Sequence, residues 1–331
     1  MRQPMPRDAG GSIEITEGTG PIRAMVSTGE LLEIYKSDKT FRLETPETID
    51  PARTNPNAPF VVTRVHDVGT SNRIVARVLL QADQILTSAL VADQEKVNSV
   101  RKQLHACKEH LLRCEAVANH LRVKMDKVQE RVNQLQSGNA RLINPLPQVD
   151  GLEADCGTFL ADVNRAVRMV SGLPSLFVPL EKPDNNFDHL QDRLVKEIGE
   201  NEAVTQLVTA AAPDLRRLVD LRNYFEHPAQ RKTVVRNFHV LPEGSVSQPT
   251  WNLSGDTPVS ILKDMSDATD LLVCVTEELL INLVLYRGRD RFLFNVQETP
   301  DDQLDRDFPV KYRVLVFLKP GASGSRPSSG R

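Results

Sequence analysis

Residues 215–232 read LRRLVDLRNYFEHPAQRK. The apolar residues recur at helical spacing, and Pro228 stops the run. At about 100° per residue, Arg222 falls inside the arc held by Leu215, Leu218, Val219, Leu221 and Phe225. A buried guanidinium must be paired, because desolvating it alone costs several kcal/mol. Two arrangements meet that need. Glu226 stands four residues on and can pair with Arg222 along one face. Otherwise the face opens onto an anion or a partner subunit. His227 precedes Pro228, so its backbone is pushed out of the α region and its side chain leaves the helical wheel. It can cap the helix end, where an imidazolium meets the negative end of the dipole, or turn toward Arg222.

A second set, Cys107, His110 and Cys114, shares one helix face at i, i+3 and i+7, a spacing that could hold zinc. Both cysteines also fall on core positions of a heptad pattern, where a small buried hydrophobe fits, and core packing is the expected role. Asp184, Asp188 and Asp192 read as a solvated face, and His239 as a strand residue that could line the cleft near Arg222. The chain contains no GxxxxGK(S/T), GxSxG or HExxH, so neither metal nor cofactor is expected.

The 331 residues are 40% hydrophobic and 26% charged, which fits a soluble chain of two domains or one domain with appendages. Aromatics at 5% favour helix over an all-β fold. A net charge of −3 gives no general attraction for nucleic acid, so any anion site must be local. The four cysteines form no CxxC pair, and free thiols in a reducing compartment are expected. The N-terminus lacks an apolar signal region, and no apolar run approaches the ~18 residues that span a bilayer. A cytoplasmic protein without membrane contact is expected.

Several elements must position these residues. The first segment, 1–70, is irregular with short strands at 21–44, the KSDK turn and FVVTRV. A long helix is expected over 71–137. Its second half repeats apolar residues every seven: Val97, Leu104, Leu111, Ala118, Met125 and Val132, with Val100, Cys107, Cys114, Leu121, Val128 and Leu135 three residues on. Such a seam spans about 58 Å and predicts a coiled coil with a second copy of the chain. A linker follows, and then helices at 152–171, 186–198 and 202–211. A fourth begins at Pro213 and ends at His227. A β-hairpin at 231–254, a helix at 260–286, two closing strands within 291–319 and a disordered tail at 320–331 complete the expectation. The fold class is mostly α, with a helical bundle over 150–290 and small β elements at both ends.

RNYFEH, Arg222 to His227, resembles the R-x(4–6)-H motif of the HEPN superfamily, including the Asn that follows the Arg. Its place late in a helical bundle, before a last long helix, is also similar. The resemblance covers 150–290 and implies a dimer with two motifs across a cleft. It also implies metal-independent endoribonuclease activity in a prokaryotic defence or toxin–antitoxin setting, with an antitoxin or other protein as partner. His227 would then act on the RNA 2′-hydroxyl or leaving oxygen, Arg222 would stabilise charge on the phosphoryl group, and Asn223 would orient the pair. Cleavage through a 2′,3′-cyclic phosphate needs a base, an acid and a fixed cation, which two such motifs supply. Six basic against three acidic side chains between Asp214 and Arg236 give a local +3. Arg216, Arg217, Arg231, Lys232 and Arg236 are therefore the expected RNA-binding residues. A non-catalytic HEPN-like module, serving as a dimerisation scaffold or regulatory subunit, is the other function the resemblance allows.

Overall fold

Alternating apolar residues on either side of the KSDK turn build an antiparallel sheet of four strands in sequence order. These are β1 (Ala24–Ser27), β2 (Leu32–Tyr35), β3 (Thr40–Glu44) and β4 (Val61–His66). Lys36 N–H donates to the Lys39 carbonyl across the turn. Ile34, Phe41 and Leu43 form the core of one sheet face. The computed structural model describes residues 13–29, 31–88, 94–137, 145–180, 187–290 and 292–318. The expected tail at 320–331, Asp184 and residues 138–144 of the linker lie outside them. The described part of 45–59 is irregular, as expected, apart from the single turn α1 (Pro46–Ile49), capped by Thr45.

The chain divides into two compact units. The first comprises Met1–His105, Leu176–Val178 and Leu280–Arg331. Besides the sheet it holds a π-helical stretch, Val75–Leu80, that runs directly into α2 (Gln81–Ser88). Every residue of that stretch except Arg77 is buried. The two expected closing strands, β10 (Phe292–Glu298) and β11 (Tyr312–Leu318), pair antiparallel with each other. The side-chain carbonyl of Gln81, itself buried, accepts the N–H groups of Lys311 and Tyr312, each at 2.8 Å. Asp307 accepts the Ser37 hydroxyl through its carboxylate and the Thr70 hydroxyl through its carbonyl. Buried Glu33 of β2 meets His105 at 2.9 Å and also accepts the Tyr35 hydroxyl.

The second unit comprises Ala106–Ser175 and Pro179–Leu279. Its helices are α3 (Gln94–Ser137), α4 (Leu152–Gly172), α5 (Phe187–Ile198), α6 (Ala203–Glu226) and α7 (Ile261–Gly288), of which α3 and α7 contribute residues to both units. The apolar side of α4 is as expected: Phe159, Val163, Ala166, Val167 and Val170 are all buried. Within the expected hairpin region, β5 (Thr233–Arg236) pairs with β8 (Thr250–Leu253), and β9 (Val259–Ser260), beyond that region, adds a third strand to the sheet. A two-residue ladder, β6 (His239–Val240) with β7 (Val246–Ser247), forms the tip. Asn237 bonds the backbone of Val149 in both directions, which ties the chain before α4 to this hairpin.

Two expectations are corrected. The helices expected at 202–211 and from Pro213 are one helix, α6, with Pro213 inside it. Proline cannot bond the carbonyl four residues back, an omission that costs ~3 kcal/mol in a helix interior. Here Thr209, Ala210, Pro213 and Asp214 all lie on the exposed side, where water can take the freed carbonyl. Val204, Val208, Ala211, Ala212, Leu215, Leu218 and Leu221 are buried along the other side without interruption. Burying such side chains gains about 1.5–3 kcal/mol each for the larger ones, enough to carry the helix through the proline.

The seam of α3 is the second correction. Eleven of its twelve residues are buried by the chain itself, and only Leu135 is exposed. Cys114 lies against the Phe159 carbonyl of α4, and Cys107 against the Thr276 hydroxyl of α7. Helices of the same chain cover the face for which a second copy is expected. No described helix is long and apolar enough to cross a membrane.

Candidate functional site

The end of α6 is set by local chemistry. His227 leaves the helical region at φ −129°, ψ 71°, as its place before Pro228 requires, and its N–H donates to the Asn223 carbonyl at 2.8 Å. Thr233 of β5 donates its hydroxyl to the Leu221 carbonyl at 2.7 Å, which ties that strand to the last turns of the helix. Phe225 packs against Gly157 of α4, where a Cβ would stand 2.9 Å from its ring. The glycine lets the two helices approach at this point.

Glu226 is the centre of the cluster. Its Oε2 forms an ion pair with Nη2 of Arg222 and lies 3.9 Å from Nε2 of His227. Nη1 of Arg222 donates to Oδ1 of Asn223 at 3.1 Å. Arg222 is 25% exposed and His227 78% exposed. The structure thus brings Arg222, Asn223 and His227 to one place, with a carboxylate between the cation and the imidazole. The Nε of Arg222 is buried and has no hydrogen-bond partner among the described residues. Of the two arrangements open from sequence, pairing with Glu226 is the one adopted.

The expected RNA-binding residues do not form one cationic surface. Arg216 pairs with Asp220 at 3.3 Å. Arg231 meets both oxygens of Asp256 at 3.0 Å. Arg217 makes a two-point contact with Asp264, at 3.0 and 2.5 Å, and Trp251 Nε1 donates to the same carboxylate at 2.7 Å. Asp264 is buried and Trp251 fully so, which makes Arg217 part of the joint between α6, β8 and α7. Lys232 and Arg236 are exposed and have no ion pair among the described residues. The local +3 is offset in space by Asp256 and Asp264, which the count along 214–236 leaves out.

The other candidates resolve simply. Cys107 and Cys114 are buried, and desolvation pushes both thiols up, Cys107 to about 12. Protonated thiols are poor zinc ligands, and core packing is their role. His110 turns to Asp162 of α4 at 2.8 Å rather than to the cysteines. His239 rests on the Asn237 carbonyl, and Asp192 is exposed.

The network around Asp162 escapes a reading along the sequence. Asp162 is buried between Phe159 and Val163, and Oδ1 also accepts from Arg113 Nε at 3.1 Å and Arg165 Nη1 at 3.3 Å. Burial alone would raise its pKa. Hydrogen bonds from His110 and Arg113, with the charge of Arg113, outweigh that and hold the carboxyl below its usual range. The available signal was the same as at Arg222: a charged residue on the apolar side of a helix, with Arg165 three residues on.

No protein-family model matches the chain, and comparison with curated proteins and with solved structures gives no match either. Function must therefore be argued from the residues themselves.

Proposed function

We propose that 150–290 is a HEPN-like helical module that works by binding a partner, as a scaffold or regulatory subunit, rather than by cutting RNA. The Arg222–Glu226 ion pair carries this reading. A guanidinium that stabilises a phosphoryl group must be free to meet it, and here a neighbouring carboxylate already takes its charge. The offsetting of Arg216, Arg217 and Arg231 by acidic partners points the same way. The test is incubation of the purified protein with RNA in EDTA. The expected result is no cleavage and no 2′,3′-cyclic phosphate ends; cleavage abolished by His227→Ala in a folded variant would overturn the reading.

One observation favours a second reading, the metal-independent endoribonuclease. His227 is largely exposed and has left the helix, so its imidazole is accessible to a substrate. In this reading a second copy brings another His227, and RNA phosphate displaces Glu226 from Arg222. Glu226→Gln would then raise cleavage, whereas in the binding reading it creates none.

A further inference from the structure

Asp162 gathers more positive charge than it needs. A single buried carboxylate receives two guanidinium groups and an imidazole on one oxygen. Even with His110 neutral, the cluster carries one surplus positive charge. The cations are not buried with their partner: Arg113 is 49% and Arg165 58% exposed.

The hydrogen-bond geometry leaves donors unspent. Nδ1 of His110 lies 2.8 Å from Asp162 Oδ1 and 2.6 Å from Arg113 Nη2. It cannot serve both, because the carboxylate needs a proton on Nδ1 and the guanidinium needs a lone pair there. The ionised carboxylate is the stronger partner, so Nδ1 donates to Asp162. Arg113 Nη2 then faces an N–H at close range and gains from any acceptor that draws it away. Nε2 of His110 bonds no described residue, and Arg165 uses only one nitrogen of its fork on Asp162.

We infer that His110, Arg113 and Arg165 form a binding site for a phosphate group, with Asp162 as the buried anchor that orients all three. Two guanidinium forks and an imidazole suit a dianion with several acceptor oxygens better than a single carboxylate. Asp162 cancels one of the two guanidinium charges, and unlike the one-to-one pair of Arg222 with Glu226 it leaves a second cation and exposed donors for an anion. The site lies on α3 and α4 and does not depend on the reading of Arg222 and His227.

Calorimetric titration of the full chain with inorganic phosphate and with AMP, at matched ionic strength, tests this. Saturable binding of at least one is expected. Arg113→Gln with Arg165→Gln should weaken it at least about tenfold, while His110 stays to pair Asp162. Arg165→Gln alone removes one exposed contact and should weaken binding less, with an unchanged melting curve. Equal affinity for the two ligands assigns the site to free phosphate, and tighter AMP binding to a phosphate ester. Failure of both ligands to saturate, or undiminished binding in the folded double variant, would overturn the inference.

Discussion

Arg222 and Asp162 pose the same residue-scale problem, a charge on the apolar side of a helix, and find different answers. Arg222 is paired within its own helix, by Glu226 and Asn223. That answer was legible, because i,i+4 partners are fixed by helical geometry alone. The turn of His227 out of the helix was legible for the same kind of reason, since Pro228 acts on its immediate neighbour. Asp162 is satisfied by His110 and Arg113 of another helix, and Arg217 by Asp264, neither of which a reading along one helix reaches. Because the folded pKa of Asp162 is depressed, its ionised form favours the fold above the unfolded value of about 3.9. That contribution disappears as pH falls through the folded value. Urea unfolding of Asp162→Asn against wild type should show a constant deficit near neutral pH that narrows only below about pH 4. A gap that widens with acid would contradict the assignment.

Among elements, strands and turns followed the sequence closely. β1 to β4 and the KSDK turn are where alternation and turn residues put them, because both signals are local. The break between two helices at Pro213 was the local signal that failed. Proline at a first helical position and proline on the solvent side of a longer helix look alike until the burial of both flanks is known. The continuous α6 makes a specific expectation. Pro213→Ala restores a backbone hydrogen bond and should raise stability by about 1–2 kcal/mol, less than the full helix-interior penalty because proline also restricts the unfolded chain. A helix that began at Pro213 would lose its favoured first residue, and the same substitution would be neutral or destabilising in a denaturant melt.

For the whole molecule, the heptad pattern of α3 established that a face is buried but not what buries it. Twelve apolar positions at seven-residue spacing suit a second identical helix and suit α4 and α7 of the same chain equally well. The difference is measurable. Leu111 is fully buried in the seam, and Leu111→Asp should destabilise the protein by more than about 3 kcal/mol. The loss should be the same at every protein concentration, whereas a dimer held by this seam would show a midpoint that moves with concentration.

Gln81, with its carbonyl on the N–H groups of Lys311 and Tyr312, also sets a timetable. Its partners are synthesised 230 residues later, on the order of ten to fifty seconds at ordinary rates of translation. Ser37 and Thr70 wait in the same way for Asp307. Meanwhile the ribosome has released the second unit, Ala106–Ser175 and Pro179–Leu279, which can fold before the unit begun ahead of it is complete. Throughout that interval α2 lacks its neighbour β11, and a stalled or prematurely stopped chain would present its uncovered side to chaperones and proteases.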